Sequence, residues 1–226
     1  MSAFTLKLIA LVTMIIDHVG AVFFPEVLWL RYIGRISMPL YGFLLAQGYR
    51  HTHNFKRYAI RMAIFAVISE VPYDLLFHRT WLEFGNQNIL FTLLTALFVM
   101  RLLDASAKNR NIFMFIGAIA LALVPYFLEF DYGVYGVLVP VCFYLFQKYR
   151  GIDALAFAGL TYAKYLYDGN SIQLWSIAAG IPILLYNGKP GVFSLKYFFY
   201  IIYPAHLLLL FAIRYVLENH LLPFIG

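Results

Sequence analysis

The stretch TMIIDHVGAVFFP (13–25) decides how the chain is read, because it sets Asp17 and His18 side by side in an otherwise apolar run. Leu8, Ile9, Ala10, Leu11 and Val12 precede it. Together they are long enough to cross a bilayer as a helix, which takes about 17–25 predominantly apolar residues. An ionisable group at the centre of such a span costs at least about 2.5–3.5 kcal/mol and ordinarily faces a partner or a cavity. The run resembles a secretory leader only superficially. It lacks a small-residue cleavage site and carries two titratable groups, so it reads as a retained first span.

The rest of the chain agrees with a membrane reading. It has 226 residues, 63% of them hydrophobic and 12% charged, with a mean hydropathy of +0.77. Soluble domains carry about 25% charged residues, and a core of this size cannot hide so many apolar side chains. The fold expected is all-α, a polytopic transmembrane helix bundle with about nine spans, eight to ten. Candidate spans are 6–24, 28–48, 57–77, 89–104, 111–129, 132–148, 151–167, 172–187 and 197–217. No repeat, linker or low-complexity segment divides the chain, so residues 1–226 read as one transmembrane domain. VPYDLLFH (71–78) and VPYFLEFD (124–131) look alike, but their surroundings do not align. Cys142 has no second cysteine to pair with, so redox compartment is unreadable.

Charge sets the expected orientation. Most of the 17 basic residues fall on one set of loops and span ends: Lys7, Arg50, Lys56, Arg57, Arg61, Arg101, Lys108, Arg110, Lys148, Arg150, Lys189 and Lys196. The acids do the reverse. Only Asp104 and Asp153 share the basic side. Lys and Arg concentrate in cytoplasmic loops, so the amino terminus is expected inside and the carboxyl terminus outside a plasma membrane. The high pI then belongs to these loops and to their contact with lipid heads; nucleic-acid binding is not implied.

On that topology six segments send polar groups to the outer half of the membrane: Asp17 and His18; Arg31 and Arg35; Glu70 and Asp74; Asn88 and Thr92; Glu129 and Asp131; Tyr132 and Tyr135. One reading is purely structural, with Asp17 locked to Arg35 and Glu70 to Arg31. The other is a water-lined cavity. His18 is the best proton-transfer group, its ordinary pKa lying near neutrality. Adjacent helical residues point about 100° apart, so Asp17 cannot orient His18; Glu70 from another span is the candidate. His206 in YPAHL is the second histidine of interest, and Tyr200, Tyr203 and His206 share a face. Most of the aromatic residues, 19% of the chain, suit interfacial belts and packing, but this stripe could line a slot for an apolar or acyl-bearing ligand. On the inner side GYRHTHNFKRYAIR (48–61) reads as lipid-facing, or as a phosphate cradle in which Arg57 and Arg61 take part. His51 and His53 have no acid or cysteine beside them, and no metal is expected. No Walker loop, G-x-G-x-x-G, H-E-x-x-H or G-x-S-x-G occurs.

LKLIALVTMIIDHVG, LRYIGRISMPLYGFLLAQGYRHT, YAIRMAIFAVISEVPYDLLF, NILFTLL and KYFFYIIYPAHLLLL together resemble the TraX family. D-H-x-G, R-x-I-G-R and Y-P-x-H in this order are the specific part. The family is named for a conjugative-plasmid protein that acetylates the amino terminus of pilin, and it is similar to a wider superfamily of membrane-bound acyltransferases. The resemblance implies transfer of an acyl group, acetyl by default, from cytosolic acetyl-CoA to an extracytoplasmic acceptor. That acceptor would be a peptide amine, a sugar or a lipid head group. His18 becomes the catalytic base; Asp17, Arg31, Arg35, Glu70, Asn88 and His206 become polar lining. The competing class is a proton- or ion-coupled transporter, since membrane Asp/His/Glu relays also serve pumps. Against it, no inverted repeat and no matched pair of broken spans is visible. A third possibility is an assembly protein whose buried charges only fix helix register.

Overall fold

Four helices begin on side-chain caps. Ser2, Asn54, Asn88 and Asn111 each accept a backbone N–H of the first turn, opening α1 (Ala3–Phe23), α4 (Phe55–Phe77), α5 (Ile89–Asn109) and α6 (Ile112–Phe127). Such oxygens satisfy donors that have no partner inside the helix. The computed structural model describes residues 1–149, 151–191 and 196–221; Arg150, counted above with the basic loops, and the side chain of Lys196 lie outside the described residues. Completing the bundle are α2 (Leu28–Gly34), α3 (Ser37–His51), α7 (Gly133–Phe146), α8 (Ile152–Asp168), α9 (Ser171–Leu174), α10 (Gly180–Leu184) and α11 (Lys196–Val216). Among the described residues there is no strand, only an isolated bridge between Gln87 and Phe130.

Three helices are long and apolar enough to cross a membrane: Ala3–Phe23, Ile89–Asn109 and Tyr197–Asn219. Helix α4 is as long but carries Lys56, Arg57, Arg61, Glu70 and Asp74. Two of the expected spans are not single helices. Residues 28–48 divide at Arg35–Ile36 into α2 and α3. Pro39 has no N–H to give the Arg35 carbonyl, and the chain tightens there into an Ile36 N–H to Ile33 carbonyl bond. Residues 172–187 become α9, a 3₁₀ stretch over Trp175–Ala179, and α10. Pro182 likewise offers no N–H to the Ala178 carbonyl, next to the flexible Gly180.

The bundle buries two apolar clusters. The larger joins α1, α3, α5 and α7 through Leu6, Leu40, Phe43, Leu97, Met100, Val137 and Phe143. The smaller joins α1, α4 and α11 through Leu11, Met14, Leu76, Tyr203, Leu207 and Leu210. Outward faces are apolar as well: Phe113 is 79% exposed and Leu155 73%. A surface greasy on this scale suits lipid, not water. Helices α1 and α2 approach closely, because a Cβ on Gly20 would stand 2.7 Å from the Cβ of Leu30. One end of the bundle carries the amino terminus of α1 and the α3–α4 loop, and is the basic end. The other carries the α1–α2, α4–α5 and α6–α7 connections.

Candidate active site

Helices α1 and α11 pack together and bring His18 against His206. Their rings are parallel to within 8°, and Nδ1 of His18 lies 2.8 Å from Nε2 of His206. The other nitrogen of His206, Nδ1, is 2.9 Å from the Ile202 carbonyl. A carbonyl only accepts, so His206 Nδ1 carries a hydrogen. In a neutral His206, Nε2 is then a lone pair and accepts from Nδ1–H of His18. The chain of bonds leaves the basic lone pair on Nε2 of His18. Pro204, within Y-P-x-H, offers no N–H to the Tyr200 carbonyl, and the Phe77 ring stands nearly perpendicular to that of His18, with 5.4 Å between centroids.

This corrects the expected partner of His18. Glu70 does not orient it; Oε2 of Glu70 accepts from the backbone N–H of Asn88 at 3.2 Å and from the Asn88 side-chain amide. That amide also donates to the Ala66 carbonyl at 2.9 Å, while Asn88 Oδ1 caps α5. Asn88 is buried with both amide hydrogens spent, so Glu70 and Asn88 clamp α4 to the start of α5. Glu70 Oε1 and Asp74 Oδ1, one turn apart on α4, are buried without a partner.

The D-H-x-G and R-x-I-G-R motifs explain one another. Both Asp17 carboxylate oxygens accept from Nη2 of Arg35, at 2.9 and 2.7 Å. Arg31 Nη1 lies 2.9 Å from Asp17 Oδ2 and donates to the Asp17 carbonyl at 2.8 Å. A Cβ on Gly34 would stand 2.1 Å from the Asp17 carboxylate, so only glycine lets α2 lie on this acid. The structural lock of Asp17 with Arg35 is present; Arg31 joins the same acid instead of Glu70.

A further element reaches this lock from the α6–α7 loop. Tyr132 holds φ +62°, and its ring lies 5.6 Å from the Arg35 guanidinium. A left-handed non-glycine residue costs roughly 1–2 kcal/mol. The loop is pinned by the Asp131 carbonyl, which accepts the Thr92 hydroxyl at 2.7 Å, and by the Asp131 N–H donating to the Gln87 carbonyl at 2.9 Å. Burial pushes the Asp131 carboxyl up to about 6, with Arg35 and Arg31 pulling the other way.

From the basic end a cavity of about 350 Å³ enters the bundle between α1, α3, α4 and α11. Lys7, His51, Thr52 and Arg61 stand among its polar lining; Tyr41, Leu44, Leu90 and Phe199 are among its apolar walls. Arg61 from the basic stretch and Tyr200 from the aromatic stripe line it. The guanidinium of Arg61 lies 5.3 Å from the Tyr200 ring and 5.5 Å from that of Tyr58, and its Nε is buried without a partner. Arg57 is exposed and lines no part of it, and Arg31, Asn88, Tyr203 and His206 are not on its wall. Tyr200 and His206 are six residues apart on α11, about 9 Å at 1.5 Å per residue. Buried Tyr203 fills the turn between cavity and histidine pair, its ring 5.6 Å from His206. Lys7, Tyr41 and Leu90 had no local signal in the sequence, because they face this space only through tertiary packing.

The chain matches the family model described as TraX protein over residues 2–214. It is 29% identical to the probable fimbrial assembly protein FimC, serogroup H1, of Dichelobacter nodosus, a match covering 96% of this chain and 97% of that protein. A shorter likeness, 32% identity over 88 residues, links it to the uncharacterized protein RP591 of Rickettsia prowazekii (strain Madrid E), covering 39% of this chain and 32% of that one. No solved structure matches it. With the motifs of the histidine pair and the Asp17 lock inside the matched span, the chain belongs to the TraX family.

Proposed function

We propose that this protein is a membrane-bound acyltransferase that moves an acetyl group from cytosolic acetyl-CoA to an amine or hydroxyl acceptor at the opposite membrane face. On this reading the polypeptide crosses a plasma membrane about nine times, with its basic end and amino terminus in the cytosol. The observation that carries the reading is the histidine pair, with a free lone pair on His18, on the same helix bundle as a cavity open to the basic end. Membership of a family named for pilin acetylation supports it. The naming of one relative as a fimbrial assembly protein favours a pilus subunit among the acceptors.

The chemistry follows from these residues. The acceptor's nitrogen or oxygen attacks the thioester carbonyl while Nε2 of His18 takes its proton. The C–S bond then breaks, the acyl group stays on the acceptor, and the thiolate of CoA leaves and is reprotonated. Positive charge on His18 is shared with His206 through the 2.8 Å bond, and then with the Ile202 carbonyl. Asn88 has no hydrogen left for the oxyanion. Arg35 keeps a buried Nε with no partner and is our candidate donor for it, a role typically worth about 3–4 kcal/mol of barrier. Tyr203 must swing aside for the thioester to reach His18.

The test is incubation of purified protein with labelled acetyl-CoA and peptide-amine, sugar and lipid acceptors, following both label transfer and CoA release. Transfer that is lost in a folded His18→Ala protein supports the reading. A His18→Ala protein that transfers at the full rate overturns it.

A further inference from the structure

A second cavity lies beside the first at the basic end. It measures about 670 Å³, and Thr52 lines both. Where the first is mostly apolar, this one is lined mainly by polar groups, among them Arg50, His53, Arg101, Asp104, Tyr144 and Gln147. Its size falls within the range of pockets that hold a cofactor-sized ligand, roughly 300–1,000 Å³.

The donors and acceptors here are built, not incidental. Asp104, one of two acids on the basic side, accepts from the Tyr49 hydroxyl on Oδ2 and from the Tyr144 hydroxyl on Oδ1. Helices α3, α5 and α7 are thereby tied around one carboxylate. Arg101 lies with its guanidinium 5.5 Å from the Phe55 ring. Neither Arg50 nor Arg101 makes an ion pair among the described residues. Gln147 Oε1 is buried with no partner, an acceptor left open. Arg101 also hydrogen-bonds the Tyr49 hydroxyl, and two guanidiniums outside any ion pair, each with several N–H donors, suit phosphate groups. An orphan amide oxygen, a carboxylate and an aromatic ring suit an aminated heterocycle with its sugar. A bare phosphate or a lipid head needs only the first set.

We propose that this cavity binds a phosphorylated adenine nucleotide, and specifically the 3′-phosphorylated ADP portion of the acyl donor. The pantetheine arm would then pass Thr52 into the apolar cavity lined by Arg61 and Tyr200. The assignment of the donor rests on the acyl-transfer reading above. It replaces Arg57 by Arg50 and Arg101 as the phosphate ligands, and leaves Arg61 to the arm.

The test uses the full-length protein in detergent and adenosine 3′,5′-bisphosphate as the probe. Thermal stabilisation should be saturable, because a ligand of the folded state raises apparent stability by mass action. Half-saturation should rise at least about tenfold in Arg101→Ala and Arg50→Ala, rise less in Arg101→Lys, and stay unchanged in Lys108→Ala, an exposed cation off the cavity wall. Added phosphatidylglycerol should not displace the probe; full displacement would assign the site to lipid phosphate and overturn the proposal, as would no stabilisation of the wild type. In transfer assays Arg101→Ala should raise KM for acetyl-CoA about tenfold and leave that for acetyl-pantetheine unaltered. Equal KM for both donors in the wild type overturns the nucleotide site and spares the acyl-transfer reading. Probe binding without transfer from either donor does the opposite.

Discussion

Nδ1 of His18 and Nε2 of His206 stand 2.8 Å apart although 188 residues separate them in the chain. The contact assigns the histidines different work. On the acyl-transfer reading His206, anchored on the Ile202 carbonyl, positions and polarises, and His18 keeps the free lone pair. Replacing His18 by Ala should therefore cost the full contribution of a general base, about 10²–10⁴-fold in kcat. His206→Gln, whose amide can still accept from His18, should cost less than His206→Ala and should move the acidic limb of the kcat–pH profile. Single-turnover rates across pH 5–8 would read both effects, and a His206→Ala enzyme with an unshifted profile would remove the positioning role.

Asp17 has the opposite character. Its carboxylate is consumed by Arg31 and Arg35, so its substitution is a stability experiment. Removing one member of a buried ionic cluster strands the others, a loss of about 3–5 kcal/mol. Asp17→Asn should accordingly lower the thermal midpoint in detergent, whereas Arg31→Ala, the more exposed arginine, should lower it less. Gly34→Ala should be as severe as Asp17→Asn, because the added methyl collides with the same carboxylate. Differential scanning fluorimetry orders the three.

Arg61 and Arg57 separate by the same logic on the donor side. Arg61→Ala empties one wall of the apolar cavity and should raise KM for acetyl-CoA several-fold with little change in kcat. Arg57→Ala should shift neither, since its side chain is exposed and away from both cavities. Initial-rate kinetics over donor concentration decides the point.

Glu70 offers a discriminating negative. Its Oε2 serves Asn88, so Glu70→Gln should weaken the start of α5 and lower stability while leaving the pH at which His18 loses activity unchanged. A shift of that limb would restore Glu70 to the proton path.

The Asp131 carboxyl, lifted to about 6 by burial, gives a pH test. A raised carboxyl favours folding in its neutral form. Its contribution is complete below about pH 4, the unfolded value, and is lost as pH climbs through about 6. The thermal midpoint of wild type relative to Asp131→Asn should therefore fall between those pH values and level off above them. Paired melts in one buffer series measure it.

Local chemistry along the chain is enough to make this a membrane protein and to form most of its helices. Hydropathy acts within a short window of residues, so α1, α4, α5 and α11 are legible without a structure. Asp17, His18, Arg31 and Arg35 are legible as costly groups for the same reason, since a charge in an apolar run needs a partner wherever the chain goes. Which partner it finds is a different matter. The pairing of His18 with His206 instead of Glu70, of Arg31 with Asp17 and of Glu70 with Asn88 depended on how α1, α2, α4, α5 and α11 cross. So did the breaks at Arg35–Ile36 and Trp175–Ala179, and the gathering of Lys7, Tyr41, Arg61 and Tyr200 around one cavity. Those contacts join residues tens to hundreds of positions apart, and only the packed bundle, by excluding every other arrangement of its buried polar groups, selects among them.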